Sequence, residues 1–113
     1  MGFKEISPSI IRDMNTDLTG EETLFPSYTN PFLVFFSSVD YYEDTELKIS
    51  SIVNNIVKMH LFGNGNKRTG FATFCVLCRM NNLEIRDKEW GILFEEIAAK
   101  KLSVEEVRGI LFH

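Results

Sequence analysis

The sequence predicts an all-α fold of about five or six short helices. Three observations predict it. An apolar stripe recurs at helical spacing between about Thr45 and Met59. Helix-start signals stand at Ser7-Pro8 and at Ser103 with Glu106. The stretch Phe71 to Met80 is apolar almost all round, as a central, covered helix requires.

In chain order, Ser7 suits an N-cap and Pro8 the first helical position. Ile10, Ile11, Met14 and Leu18 follow at roughly helical spacing, and Gly20 ends the helix. Residues 21–31 hold Pro26, Asn30 and Pro31, which predict a loop or extended segment. The run Phe32-Leu33-Val34-Phe35-Phe36 fits either a buried strand or a short helix, and the helical surroundings favour helix. In the next helix Ile49, Ile52, Val53, Ile56 and Val57 fall at i, i+3, i+4, i+7 and i+8, one face of an amphipathic helix. His60 falls at i+11 on the same face, which aims it inward at the helix end. Beyond the glycines, Asn81-Asn82 stops the apolar helix. Asp87 is placed to cap a helix carrying Trp90, Ile92 or Leu93, Phe94 and Ile97. Ser103 and Glu106 form a capping box for a last helix with Val104, Val107, Ile110 and Leu111. No internal repeat appears.

At 113 residues, the chain is read as one domain, 1–113. Its 44% hydrophobic and 25% charged residues are ordinary globular usage, which excludes a disordered chain. Ten Phe supply the large side chains that a small core needs. The N-terminus lacks the apolar run of a signal peptide, and no stretch reaches the roughly 20 residues of a membrane span. A Met-Gly start suggests myristoylation, but Ile6 stands where the hydroxyl residue belongs. A soluble cytoplasmic protein is expected. Cys75 and Cys78 form a CxxC pair that in other settings is redox-active or half a zinc site. Inside an apolar helix, with no second Cys/His pair, they read as two small core residues.

Charge is segregated. Residues 1–47 carry two basic and nine acidic residues, net −7. Residues 48–86 carry six basic residues and one acidic, net +5, and residues 87–113 come to −2. An acidic chain with a basic middle points to a local anion site and not to a nucleic-acid surface.

That site falls on His60-Leu61-Phe62-Gly63-Asn64-Gly65-Asn66-Lys67-Arg68-Thr69. A helix ends at a histidine. Glycines then allow a backbone turn that a side chain would forbid. A new helix begins at about Asn66, and its first N–H groups lack intrahelical partners. Such an N-terminus behind a glycine turn cradles anions. Lys67 and Arg68 add full positive charge, and Phe62 pins the loop to the core. The segment is not a P-loop, because the Lys follows Asn66 and a helix precedes it. Nor is it a dinucleotide fingerprint, since no βαβ unit frames it.

The pattern H-x-F-x-N-G-N-K-R-T resembles the signature of the Fic/Doc superfamily, specifically its Doc (death-on-curing) branch. The Fic branch reads H-P-F-x-D/E-G-N-G-R-x-x-R. Here Lys67 stands at the last glycine and Phe71 at the last arginine, and both changes look like Doc. The Ile6-Ser7 start and the final Leu102-Ser103-Val104 helix extend the resemblance loosely over the chain. The resemblance implies a compact Fic/Doc-like helical domain with the motif loop between two central helices. It implies His60 as general base for a target hydroxyl. Gly65 and Asn66 would form the anion hole for ATP phosphates, with Arg68 contacting them and Gly63 in the same phosphate-binding loop. Lys67 is associated in Doc with reversed ATP placement, so that the γ-phosphoryl group is transferred instead of AMP. The family's metal ligand, usually Asp or Glu, falls on Asn64, a neutral oxygen donor for Mg²⁺.

The function so implied is that of a toxin of a toxin–antitoxin pair. It would phosphorylate a Ser/Thr hydroxyl of a translation elongation factor with ATP and Mg²⁺, and a cognate antitoxin would restrain it. No autoinhibitory S/T-x-x-x-E-G/N helix is found, in keeping with a separate antitoxin. No membrane and no direct nucleic-acid contact are expected. Two other functions stand beside it: a Fic-type protein AMPylase, and a catalytically inactive Fic-fold binding module, which Asn64 favours.

Overall fold

The computed structural model describes residues 2–21, 30, 36, 39–58, 62 and 64–113. The described residues form five α-helices: α1 (Pro8–Thr19), α2 (Thr45–Lys58), α3 (Asn66–Met80), α4 (Trp90–Ala99) and α5 (Val104–Phe112). A single 3₁₀ turn, Val39–Tyr41, precedes α2. No strand occurs among the described residues. The fold is all-α, as the sequence predicts.

The helix signals act locally as expected. Ser7 accepts from the Ile10 N–H, with Pro8 in the first turn, and Gly20 closes α1 at φ +73°. At the end of α3, Asn82 takes φ +59°, and the Leu83 N–H returns to the Cys78 carbonyl at 2.8 Å. Asp44 Oδ1 accepts from the Glu46 N–H at 2.7 Å and so caps α2. The Ser103/Glu106 capping box is complete.

Two expectations need correcting. Asp87 caps nothing: α4 begins at Trp90, and its N-cap, Glu89, makes no side-chain cap bond. The buried face of α1 is also offset. Ile11 and Asn15 are buried, whereas Ile10 and Leu18 are 46% and 39% exposed. The cause is register. The helix turns the i, i+4 pair Ile11/Asn15 toward α3, so the larger aliphatic residues flank that face. On α4, Phe94 and Ile97 point inward, and Ile92 is exposed. The Phe-rich run lies outside the described residues except Phe36, which is buried.

α2 is the hub, packing against α3, α4 and α5. Its predicted stripe, Ile49, Ile52, Val53, Ile56 and Val57, is 0–1% exposed throughout. α3 lies between α1, α2 and α4. It approaches α2 closely at Gly70, where a Cβ would sit 2.8 Å from Val57 Cγ2. Phe74 is fully buried, with ring centroids 5.2 Å from Trp90 and 5.5 Å from Phe112, which ties α3 to α4 and α5. Cys78 is buried and Cys75 half-buried, both free. Burial pushes the Cys78 thiol up to about 12 and raises the Cys75 thiol as well. Lys58, at the end of α2, donates to the carbonyls of Ala98 and Lys100 at the end of α4. No helix among the described residues is long and apolar enough to cross a membrane.

Candidate functional site

The N-terminus of α3 is built to stay open. Its N-cap is Gly65, at φ +75° and ψ 20°, and no side chain caps it. The first ladder bond runs from the Thr69 N–H to the Gly65 carbonyl at 2.8 Å. The N–H groups of Asn66, Lys67 and Arg68 therefore lie ahead of the ladder, where partial positive charge concentrates. A Cβ at Gly65 would meet Thr19 Cγ2 at 2.5 Å and Asn15 Nδ2 at 3.3 Å. Glycine is needed there for both its conformation and the space.

A cavity of about 300 Å³ opens at this end, lined by Val57, Asn64, Gly65, Asn66, Lys67, Arg68 and Ala98. A larger groove of about 460 Å³ adjoins it, sharing Lys67 and Arg68 and walled by Leu18, Phe71, Trp90 and Phe94. The smaller cavity is lined by the motif's Asn64 to Arg68. The larger one is a mostly apolar cleft between the ends of α1, α3 and α4.

Phe62 is buried at 2% exposure. Its N–H donates to Asn66 Oδ1 at 3.2 Å, and Asn66 Nδ2 donates back to its carbonyl at 2.9 Å. The Asn66 side chain thus braces the loop, and its backbone N–H lies ahead of the helix ladder. Lys67 Nζ pairs with Glu95 Oε1 of α4 at 2.6 Å, with both side chains partly exposed. Such a pair is worth about 0–1 kcal/mol, weak enough to yield to a phosphate. Arg68 Nη1 donates to the Leu18 carbonyl at 3.2 Å, so the end of α1 holds the guanidinium beside the cavity. Asn64 is exposed. His60 and Gly63 lie outside the described residues.

The sequence reading missed Asn15 and Glu95, and gave Thr69 only as the end of the motif. Asn15 is 1% exposed, and its Nδ2 donates to the Asn64 carbonyl at 2.7 Å and to Thr69 Oγ1 at 3.0 Å. Its signal was available: a polar residue four positions after the buried Ile11, on the inner face of α1.

A family model described as Fic/DOC family matches residues 2–78, from before α1 through most of α3. The chain belongs to the Fic/DOC family. No curated protein matches it. Members of this family are commonly ATP-using transferases that act with Mg²⁺. Among the described residues, no group of three or more His, Cys, Asp or Glu is placed to hold a metal ion. The loop offers only the neutral Asn64 at the expected ligand position. Because Mg²⁺ favours carboxylates, phosphate oxygens and water, the described donors do not make a resident Mg²⁺ site.

Proposed function

We propose that this Fic/DOC protein is a Doc-like phosphotransferase. It moves the γ-phosphoryl group of ATP onto a Ser/Thr hydroxyl of a translation elongation factor, under the restraint of a cognate antitoxin. The observation that carries the proposal is the uncapped N-terminus of α3, opening on a cavity lined by Asn64, Gly65, Asn66, Lys67 and Arg68. Phosphoryl transfer is mainly positioning and charge neutralisation. Three unpaired N–H groups and two cations on one turn supply the second. His60, ten residues or fewer from each of these groups in sequence, is assigned as the base that takes the hydroxyl proton. In this scheme Lys67 leaves Glu95 for a phosphate oxygen, and Arg68 closes from the α1 side.

Phe71 supports phosphoryl over AMP transfer. At the position of the Fic branch's last arginine it joins an aromatic group, with its ring centroid 5.6 Å from Phe94 and 5.8 Å from Trp90. It brings no cation to the phosphates. Asn64 favours a second function, an inactive binding module, because a neutral amide holds Mg²⁺ poorly. Activity present only in Asn64→Asp would establish that alternative.

The test is transfer from ATP labelled at the α or γ phosphate, in a translation extract, with wild type and His60→Ala. One band labelled only from the γ position, and lost in His60→Ala, is expected. Label from the α position would mean an AMPylase, and His60→Ala as active as wild type would overturn the assignment of the base.

A further inference from the structure

Resting on the anion-site assignment above, we infer that Asn15 is the positioning residue of the motif loop. It holds the open N-terminus of α3 in its anion-accepting form. One Nδ2 group serves two acceptors on either side of that terminus. The Asn64 carbonyl precedes Gly65, and Thr69 Oγ1 closes the first turn of α3. Between these two anchors lie the N–H groups of Asn66, Lys67 and Arg68. A primary amide has two N–H donors, and each anchor takes one.

The peptide between Asn64 and Gly65 is where such a clamp matters. Glycine permits many backbone states, and Gly65 sits in the left-handed one. A fixed Asn64 carbonyl fixes the plane of that peptide, and with it the direction of the N–H groups that follow. α1 reinforces the clamp. The Thr19 hydroxyl donates to the Asn15 carbonyl at 2.9 Å, and its methyl group stands against Gly65. Arg68 rests on the Leu18 carbonyl one residue earlier. The last two turns of α1 thus serve as a backstop for the loop. Asn15 is buried and cannot touch a nucleotide, so its effect passes through the backbone.

Asn15→Asp keeps the size and removes both donors, setting a carboxylate against a carbonyl. Thr69→Val removes one acceptor and leaves the Asn64 bond. Thr69→Ser keeps both and is the conservative control. Two quantities are measured on ¹⁵N-labelled full chain: order parameters of the Gly65–Arg68 amides without ligand, and the Kd for ATP. In wild type and Thr69→Ser these amides are rigid, near ~0.85, and Asn15→Asp lowers them below ~0.6 while the α5 amides are unchanged. The Kd for ATP rises about tenfold in Asn15→Asp and less in Thr69→Val.

Should Asn15→Asp fail to fold, Thr69→Val decides on the same two readouts. Order parameters as in wild type would overturn the inference, as would a loss of rigidity spread equally over α5. Wild type that binds no ATP would sink the anion-site assignment, while the order parameters would still decide on Asn15.

Discussion

α3 and α5 begin in opposite ways. α5 starts at Ser103, whose hydroxyl accepts from the Glu106 N–H at 3.1 Å, while Glu106 accepts from the Ser103 N–H at 2.9 Å. That end is sealed by its own side chains. The Ser103 N–H first, and the Ser103 hydroxyl second, also hold the Glu106 carboxyl below its usual range. α3 starts at a left-handed glycine with no side-chain cap, two cations in its first turn and a cavity before it. The start of α5 supplies an acceptor of its own. A start left without an acceptor, and charged, is set to take an acceptor from outside. α4 also lacks a side-chain cap, but its first turn presents Trp90, Gly91 and Ile92 and no cation.

The largest break in this contrast is Gly65→Asp, which would seal α3 as α5 is sealed. The new carboxylate occupies the anion position, and its Cβ meets Thr19 and Asn15. ATP binding is expected to weaken about a hundredfold or more, near 2.7 kcal/mol by calorimetry, with a lower Tm from strain. Unchanged ATP affinity would mean that the α3 terminus binds nothing.

Lys67→Ala sharpens the contrast from the charge side. Stability should change by less than ~1 kcal/mol, since only the exposed Glu95 pair is lost. ATP binding should weaken about tenfold. A change in stability with no change in affinity would make Lys67 merely the partner of Glu95.

Ser103→Ala opens α5. It should cost about 1 kcal/mol in chemical denaturation and leave ATP affinity untouched, because Glu105 and Glu106, and no cation, stand in its first turn. The pH dependence is smaller again. A folded carboxyl held below its unfolded value stabilises above the unfolded value, and that stabilisation is lost as pH falls through the folded one. Wild type should therefore lose this increment in acid, and Glu106→Gln should titrate more flatly there. Equal acid profiles would deny the capping carboxylate its role.

The sequence carried the stabilising features most clearly, because periodicity and caps are local. The α2 stripe and the ends of α1 and α5 needed only neighbours within four residues. Asp87 failed because a capping residue must stand at the helix start, and the chain delays α4 to Trp90. The motif's open terminus was legible through glycine and charge. Its supports were not: Asn15 lies 49 residues from Asn64, and Glu95 lies 28 residues from Lys67. No local pattern pairs them. Only the packing of α1 and α4 against α3 does.

The most direct test of the open terminus is an amide chemical-shift titration of the ¹⁵N-labelled chain with ATP. Saturable shifts at Gly65, Asn66, Lys67 and Arg68, with the Val104–Glu106 amides unmoved, are predicted. Shifts absent from the α3 terminus, or equal at the start of α5, would contradict the account.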